Sequence, residues 1–192
     1  MTVRRRLALF GMLSIIVILT VMILLYDIVN LDGLRVPLRN RDCDMIVNVQ
    51  ELGLDDKLGT GEYSKRLRFD GSVMIEFRWR SHVKSARPIE VVNKILLCGS
   101  NDDVTPTYEA SVSSIALPAL LLNLKVEPCD FIYWGDESSF VVVNQNGVEV
   151  ASVFVARKAS RLFYLFMSGT LLDERETAKR VLLPHLEAVE RY

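Results

Sequence analysis

The chain has 192 residues, of which 50% are apolar and 24% are charged, a composition typical of one ordinary globular domain and not of a disordered chain. Residues 1–26 contain three arginines and no acid, so the rest carries 20 basic (23 − 3) and 24 acidic side chains, a formal charge of −4. That balance gives little electrostatic support for nucleic-acid binding, and we expect no nucleic-acid partner.

The N-terminal region contains a long apolar run. Leu7–Tyr26 is 20 residues without a charge, which as a helix would span roughly 30 Å, the thickness of a bilayer's hydrocarbon core. The run ends in bulky residues where a cleaved signal peptide needs small ones, so we predict an uncleaved signal anchor. The predicted organisation is a cytoplasmic tail at 1–6, a single transmembrane helix at 7–26, a connector at 27–43 and a globular domain at 44–192.

The charges that flank this run bear on its orientation. Arg4, Arg5 and Arg6 favour an N-terminus in the cytoplasm, with the domain in the periplasm, outside the inner (plasma) membrane. Arginines 35, 39 and 41 stand on the other side of the run and leave a cytoplasmic domain as the alternative. In the periplasm Cys43, Cys98 and Cys129 allow one disulfide in any of three pairings, and in the cytoplasm all three are expected to be thiols.

The first half of the domain predicts a strand, a loop and a hairpin. Met45–Gln50 alternates like a short strand, and the glycine-bearing stretch 51–61 indicates a loop. Tyr63–Phe69 and Val73–Arg80 then predict a hairpin with a three-residue loop at 70–72. That register pairs residues 69 with 73, 67 with 75 and 66 with 76, and it leaves Lys65 on the apolar face.

The middle of the chain predicts two helical segments. Pro88–Cys98 has a proline at the first turn, an early acid and a glycine after its end, which indicate a helix, although its β-branched residues leave a strand as the alternative. Thr105-Pro106 opens a second segment, which Pro118 is expected to break or bend.

The last third predicts a hairpin, a central strand and a helix. Asn144–Gly147 is a turn between strands at 140–143 and 148–156. Arg161–Met167 is apolar on both faces and should lie at the centre of a sheet that is covered on both sides. After a capping-box-like start at Asp173 and Glu176, a terminal helix carries one apolar stripe.

The order of these last elements, over residues 138–190, resembles the C-terminal part of PsbP-like α/β/α domains. The resemblance implies a small antiparallel α/β sandwich and no functional residues. The fold class predicted for the chain is therefore α+β: an N-terminal transmembrane helix, then one mainly antiparallel α/β sandwich domain with a C-terminal helix.

Catalytic, cofactor and metal motifs are not found in the sequence. His82 and His185, the two histidines, have no histidine or cysteine at metal-ligand spacing, and no nucleophile elbow or phosphate-binding loop occurs. We therefore predict no catalytic residue, no cofactor and no metal.

The stretch 131–137 places aromatic residues beside acids, as protein contact surfaces often do. Its candidate partner contacts are Tyr133, Trp134, Asp136 and Glu137, and the plain alternative is an apolar strand that ends in a turn.

These observations favour a membrane-anchored, non-catalytic extracytoplasmic domain that binds another protein of a bacterial envelope, as an accessory subunit or as an inhibitor or immunity-type protein. The alternative is a membrane-anchored envelope hydrolase that uses carboxylates such as Asp136 and Glu137.

Overall fold

The computed structural model describes residues 33–83, 89–121, 124–170 and 172–192, and within 116–121 it describes the backbone alone. The chain divides into two compact units, residues 1–34 and residues 35–192. The predicted cytoplasmic tail and the predicted anchor at 7–26 both lie outside the described ranges.

Eight strands form one antiparallel sheet with the order β1-β2-β3-β4-β8-β7-β6-β5. The strands are β1 (Leu34–Arg35), β2 (Gly59–Leu67), β3 (Val73–Ser81), β4 (Glu90–Leu97), β5 (Lys125–Pro128), β6 (Glu137–Gln145), β7 (Val148–Lys158) and β8 (Arg161–Ser168). The helices are α1 (Asn40–Cys43), α2 (Asn101–Leu121) and α3 (Arg175–Arg191), and a 3-10 turn spans Asp56–Leu58.

The predicted fold class, with its single transmembrane span, is wrong. The described residues form an eight-stranded antiparallel sheet with three helices, and within the described ranges no helix is long and apolar enough to cross a membrane. The signal-anchor interpretation used only local features of the N-terminal region: the length and hydropathy of residues 7–26, the bulky residues at their end and the flanking charges. The longest helix in the described part, α2, instead carries Asp102, Asp103 and Glu109 and packs on the sheet.

The larger core lies between one face of the sheet and α3. Strands β4 and β8 pair at the centre of the sheet, and Ile95, Phe163 and Leu165 point from them into this core. The apolar stripe of α3 covers them and is buried along its length. Its members are Ala178, Val181, Leu182, Leu186 and Val189.

The second core lies on the opposite face, between α2 and strands β4 to β8. Val104 and Tyr108 of α2 pack on Val153, Val155 and Leu162 of the sheet. The residues of β8 therefore alternate between two cores, which explains why this strand is apolar on both faces.

Residues 45–49 do not form the predicted strand. They are a loop that belongs to the α3 side of the sheet, where Met45 and Val47 are fully buried. The buried Asn93 of β4 holds this loop, since its amide oxygen accepts from the Val47 N–H at 2.9 Å and its amide nitrogen donates to the Tyr164 carbonyl at 2.9 Å.

Within the segment predicted as a helix at Pro88–Cys98, residues Glu90–Leu97 form strand β4, which was the alternative. Val91 and Ile95 face the α3 core, and Leu96 faces the α2 core. This segment is buried on both faces and lies between two strands, and its β-branched residues also favour an extended conformation over a helix.

The β2–β3 hairpin has the predicted loop length, but its register differs. Leu67 pairs with Val73 and Lys65 with Ile75, so the three loop residues are 69–71, one position earlier than predicted. Lys65 stays on the apolar face, and its amino group pairs there with the fully buried Asp42 of α1. Because Asp42 lies outside the hairpin, the sequence pattern of the hairpin alone could not predict that Lys65 has this partner.

The buried pair includes a third polar group. Lys65 Nζ donates to both Asp42 carboxylate oxygens at 2.9 Å and to the Tyr192 hydroxyl at 3.1 Å. Burial alone would raise the pKa of Asp42, but hydrogen bonds from Lys65, from the Arg39 N–H and from Tyr192 outweigh it and lower that pKa. Burial would likewise lower the pKa of Lys65, and the bonds to Asp42 and Tyr192 raise it.

The three cysteines are free thiols. Cys129 packs on the α3 core and Cys98 on the α2 core, whereas Cys43 is exposed. Since Cys98 and Cys129 belong to opposite faces of the sheet, they are not placed for a disulfide bridge.

Candidate partner-binding groove

The loop between β5 and β6, residues 129–136, carries most of the predicted contact residues and is fastened to the turn between β7 and β8. Gly135 has φ +78°, and a Cβ there would overlap the carbonyl oxygen of Arg157. The Asp136 N–H donates to that same carbonyl at 2.8 Å. The approach is closer than any residue with a side chain permits, so glycine is required at this position.

Asp136 and Glu137 are both used within the structure. Asp136 Oδ2 accepts from the Ala159 N–H at 2.7 Å, and Ala159 itself has a positive φ of 49°. The Glu137 carboxylate forms an ion pair with the Arg157 guanidinium, and this hydrogen bond raises the pKa of Arg157. The two acids therefore stabilise the turn and the strand beside them.

Trp134 fastens the loop toward α3. Its side chain is buried, and the Lys158 ammonium lies 5.9 Å from the centre of its ring. Lys158 also pairs with Glu190 of α3, and this hydrogen bond lowers the pKa of Glu190.

Tyr133 is the one predicted contact residue with a largely free aromatic surface. Its side chain is 72% exposed, and its hydroxyl donates to the Asp136 carbonyl at 3.1 Å, which fixes the ring at the surface.

Tyr133 forms one wall of a half-open groove of about 440 Å³. The opposite wall is α3, which contributes Arg175, Lys179 and Leu183. Phe131 and Phe140 line the groove with their rings 5.1 Å apart.

Two cations stand on the α3 wall. The structure gives Arg175 no hydrogen-bond or ion-pair partner within the described ranges, and Lys179 has only a 3.4 Å contact with the exposed Glu176. Asp130 is exposed on the loop side, so positive charge is confined to the helix side. A carboxylate that enters the groove is therefore attracted to α3.

The Cys129 thiol of the groove is not an activated nucleophile. Cys129 is partly buried, which raises the pKa of its thiol, and its Sγ contacts the Glu127 carbonyl at 3.7 Å. Both histidines are engaged elsewhere: His82 Nε2 contacts Thr60 Oγ1 at 2.6 Å, and the ring nitrogens of His185 contact the Asp44 carbonyl and the Glu51 carboxylate. In the described part of the chain, no group of three or more metal-ligating side chains is close enough to hold a metal ion.

Sequence reasoning did not name the α3 wall of this groove. Arg175, Lys179 and Leu183 are spaced four residues apart and so lie along one helix face. The positions alone could have indicated the face, but only the fold places it opposite Tyr133.

Compared with protein-family models, with curated proteins and with solved structures, the chain matches none. The resemblance of residues 138–190 to PsbP-like domains therefore stays a prediction, as do the predicted contact residues, the envelope partner and the extracytoplasmic location.

Proposed function

We propose that residues 35–192 form a non-catalytic protein-binding domain and that the groove between Tyr133 and α3 receives a segment of its partner. The observation that carries the proposal is the combination in one groove of a fixed, exposed tyrosine, apolar side chains and two cations. Exposed tyrosine with arginine is the composition that protein interfaces favour.

The chemistry of the groove defines the partner segment. Its apolar side chains would pack on Phe131, Phe140 and Leu183, and its acidic side chains or carboxyl terminus would pair with Arg175 and Lys179. The expected partner is therefore a protein with an exposed acidic and apolar segment.

A hydrolase that uses Asp136 and Glu137 has less support. Asp136 accepts from a backbone N–H, and Glu137 is paired with Arg157, so both carboxylates are committed to holding the loop and the strand.

Photo-cross-linking from the groove in living cells tests the proposal. A benzophenone amino acid at Tyr133 should give a discrete covalent adduct with one other protein, whereas the same group at Val148, an exposed apolar residue at the β6–β7 turn, should not.

A charge reversal then tests the role of α3. Arg175→Glu with Lys179→Glu should abolish the Tyr133 adduct, and Arg180→Glu, an exposed residue on the same helix outside the groove, should leave it intact. Adducts of equal yield from Tyr133 and Val148, or an adduct that survives the double reversal, would overturn the proposal.

A further inference from the structure

The outer edge of β2 presents unpaired backbone groups. The Lys65 carbonyl accepts from the Val36 N–H, so the odd-numbered residues of β2 direct their backbone groups away from β3. The backbone N–H and carbonyl groups of Gly61 and Tyr63 have no partner in the described part of the chain, and neither does the Gly59 carbonyl, which makes five unpaired groups. The Gly59 N–H is not among them, because it donates to the Asp56 carbonyl. An edge of this kind is a template for another strand.

Exposed apolar side chains are concentrated beside the same edge. Among the side chains that the structure describes in residues 35–192, five of the eight exposed large hydrophobic residues belong to β2 or to the segments that join or pair with its ends. They are Leu58, Tyr63, Leu67, Phe69 and Val83. Native edges are usually protected by charges or prolines, but residues 59–63 contain only Glu62 as a charge and no proline.

We propose that two copies of the chain associate through β2, edge to edge and antiparallel, about a two-fold axis at Gly61. Under this symmetry Gly61 faces Gly61 of the second copy, Gly59 faces Tyr63, and Thr60 faces Glu62. Four hydrogen bonds result: two between the paired Gly61 residues, and one from each Tyr63 N–H to the Gly59 carbonyl opposite.

The charges select this register over its neighbours. An axis at Glu62 also gives four bonds but sets two glutamates directly opposite each other, which destabilises a strand pair. An axis at Thr60 loses two bonds, because the Gly59 N–H is already used within the chain. The Gly61 axis keeps four bonds and opposes no like charges.

The side chains fit the same register. Gly59 and Gly61 have no side chain because Trp79 and Phe77 of β3 occupy that space, and a Cβ on either glycine would collide with those rings. Tyr63 of one copy therefore meets no side chain of the Gly59 that faces it, and its ring would pack beside the Trp79 ring that already covers that glycine.

Cysteine cross-linking in cells distinguishes the three registers. Two differently tagged full-length chains, both with Cys43→Ser to remove the exposed thiol, are co-expressed and oxidised. At the Gly61 axis Thr60 and Glu62 form a non-hydrogen-bonded pair, whose Cα atoms are about 4.5 Å apart, within disulfide range. Thr60→Cys in one chain with Glu62→Cys in the other should cross-link several-fold more than either variant with itself. A self-cross-link of Glu62→Cys alone, or equal yields in all three combinations, would overturn the register.

Sedimentation of the full chain tests the association itself. Thr60→Glu places two glutamates opposite each other on both sides of the axis, and it should raise the dissociation constant of the dimer several-fold. Thr60→Glu combined with Glu62→Thr again places a threonine opposite each glutamate and should restore the dimer. Val148→Glu, an exposed apolar residue at the β6–β7 turn, is the matched control and should have no effect. A chain that stays monomeric at every concentration, or a dimer that is insensitive to Thr60→Glu, would refute the proposal.

Discussion

The amino group of Lys65 lies 2.9 Å from both carboxylate oxygens of Asp42, and the two side chains are only 8% and 0% exposed. The pair joins α1 to β2, and the Tyr192 hydroxyl completes it from the other end of the chain. A buried ion pair of this kind affects stability mainly through what remains when one partner is removed.

Removal of one member of this pair should be costly. We expect Lys65→Met or Asp42→Leu to lower the free energy of unfolding by about 3–5 kcal/mol, because each leaves an uncompensated buried charge. The double variant should lose less than the sum of the two. Urea unfolding measures all three, and Arg191→Ala, which breaks an exposed pair with Glu187, should cost under about 1 kcal/mol. Additive losses in the double variant would contradict the coupling.

The same pair predicts a loss of stability at both pH extremes. The pKa of Asp42 is lowered on folding, so its contribution is present above the unfolded value of about 3.9 and is lost as the pH falls through the folded pKa. The pKa of Lys65 is raised, so its contribution is present below about 10.4 and is lost as the pH rises through the folded pKa. Urea midpoints should therefore fall more steeply in the wild type than in the Asp42→Leu/Lys65→Met variant below about pH 4 and above about pH 10. Parallel pH profiles would exclude the pair as the cause.

Gly135→Ala should detach the loop that carries Tyr133. The substitution adds a collision with the Arg157 carbonyl to an unfavourable positive φ, and we expect a loss of about 2 kcal/mol or more. Gly53→Ala is the matched control, because Gly53 has a similar φ of 73° with open space around it, and it should cost only about 1 kcal/mol. Hydrogen exchange should show faster exchange of the Asp136 and Ala159 amides in the Gly135 variant alone.

The three thiols should differ in reactivity. Cys43 is exposed and should react fast with a maleimide near neutral pH. Burial raises the pKa of Cys98 and Cys129, so both should be labelled slowly until the protein unfolds. Mass spectrometry of the labelled peptides measures this order, and Cys43→Ser should remove the fast phase. Fast labelling of Cys129 would mean that the groove is more open than the structure has it.

Local patterns predicted several elements of this fold. The β6–β7 turn has Asn146 and Gly147 with φ of 53° and 79°, as expected for an Asn-Gly hairpin. The two apolar faces of β8 placed that strand at the centre of the sheet, and the stripe of α3 is buried as predicted.

Contacts between distant segments decided the rest. The buried partner of Lys65 is Asp42, which comes from α1, and the extended conformation of β4 depends on its burial between β3 and β8. Length and hydropathy at 7–26 predicted a membrane span in a fold class that the structure contradicts.

The candidate groove was predictable only in part. The aromatic and acidic stretch named Tyr133, which is exposed, together with Trp134, Asp136 and Glu137, which also contact β7 or the β7–β8 turn. A role in partner contact stays a prediction for all four residues. The opposite wall lies more than 40 residues along the chain (175 − 133 = 42), where no local pattern links it to Tyr133.

The pairing of β4 with β8 has a consequence for how the chain is made. Arg161, which pairs with Leu97, lies 64 residues further along the chain, and Ser168, which pairs with Glu90, lies 78 residues further. At a synthesis rate of about 5–20 residues per second, the hairpin of β3 and β4 therefore leaves the ribosome several seconds before β8. During that interval a strand destined for the centre of the sheet is itself an edge, with Val91 and Ile95 uncovered. During synthesis the chain therefore exposes an aggregation-prone strand edge, and slower translation between β4 and β8 would prolong that exposure.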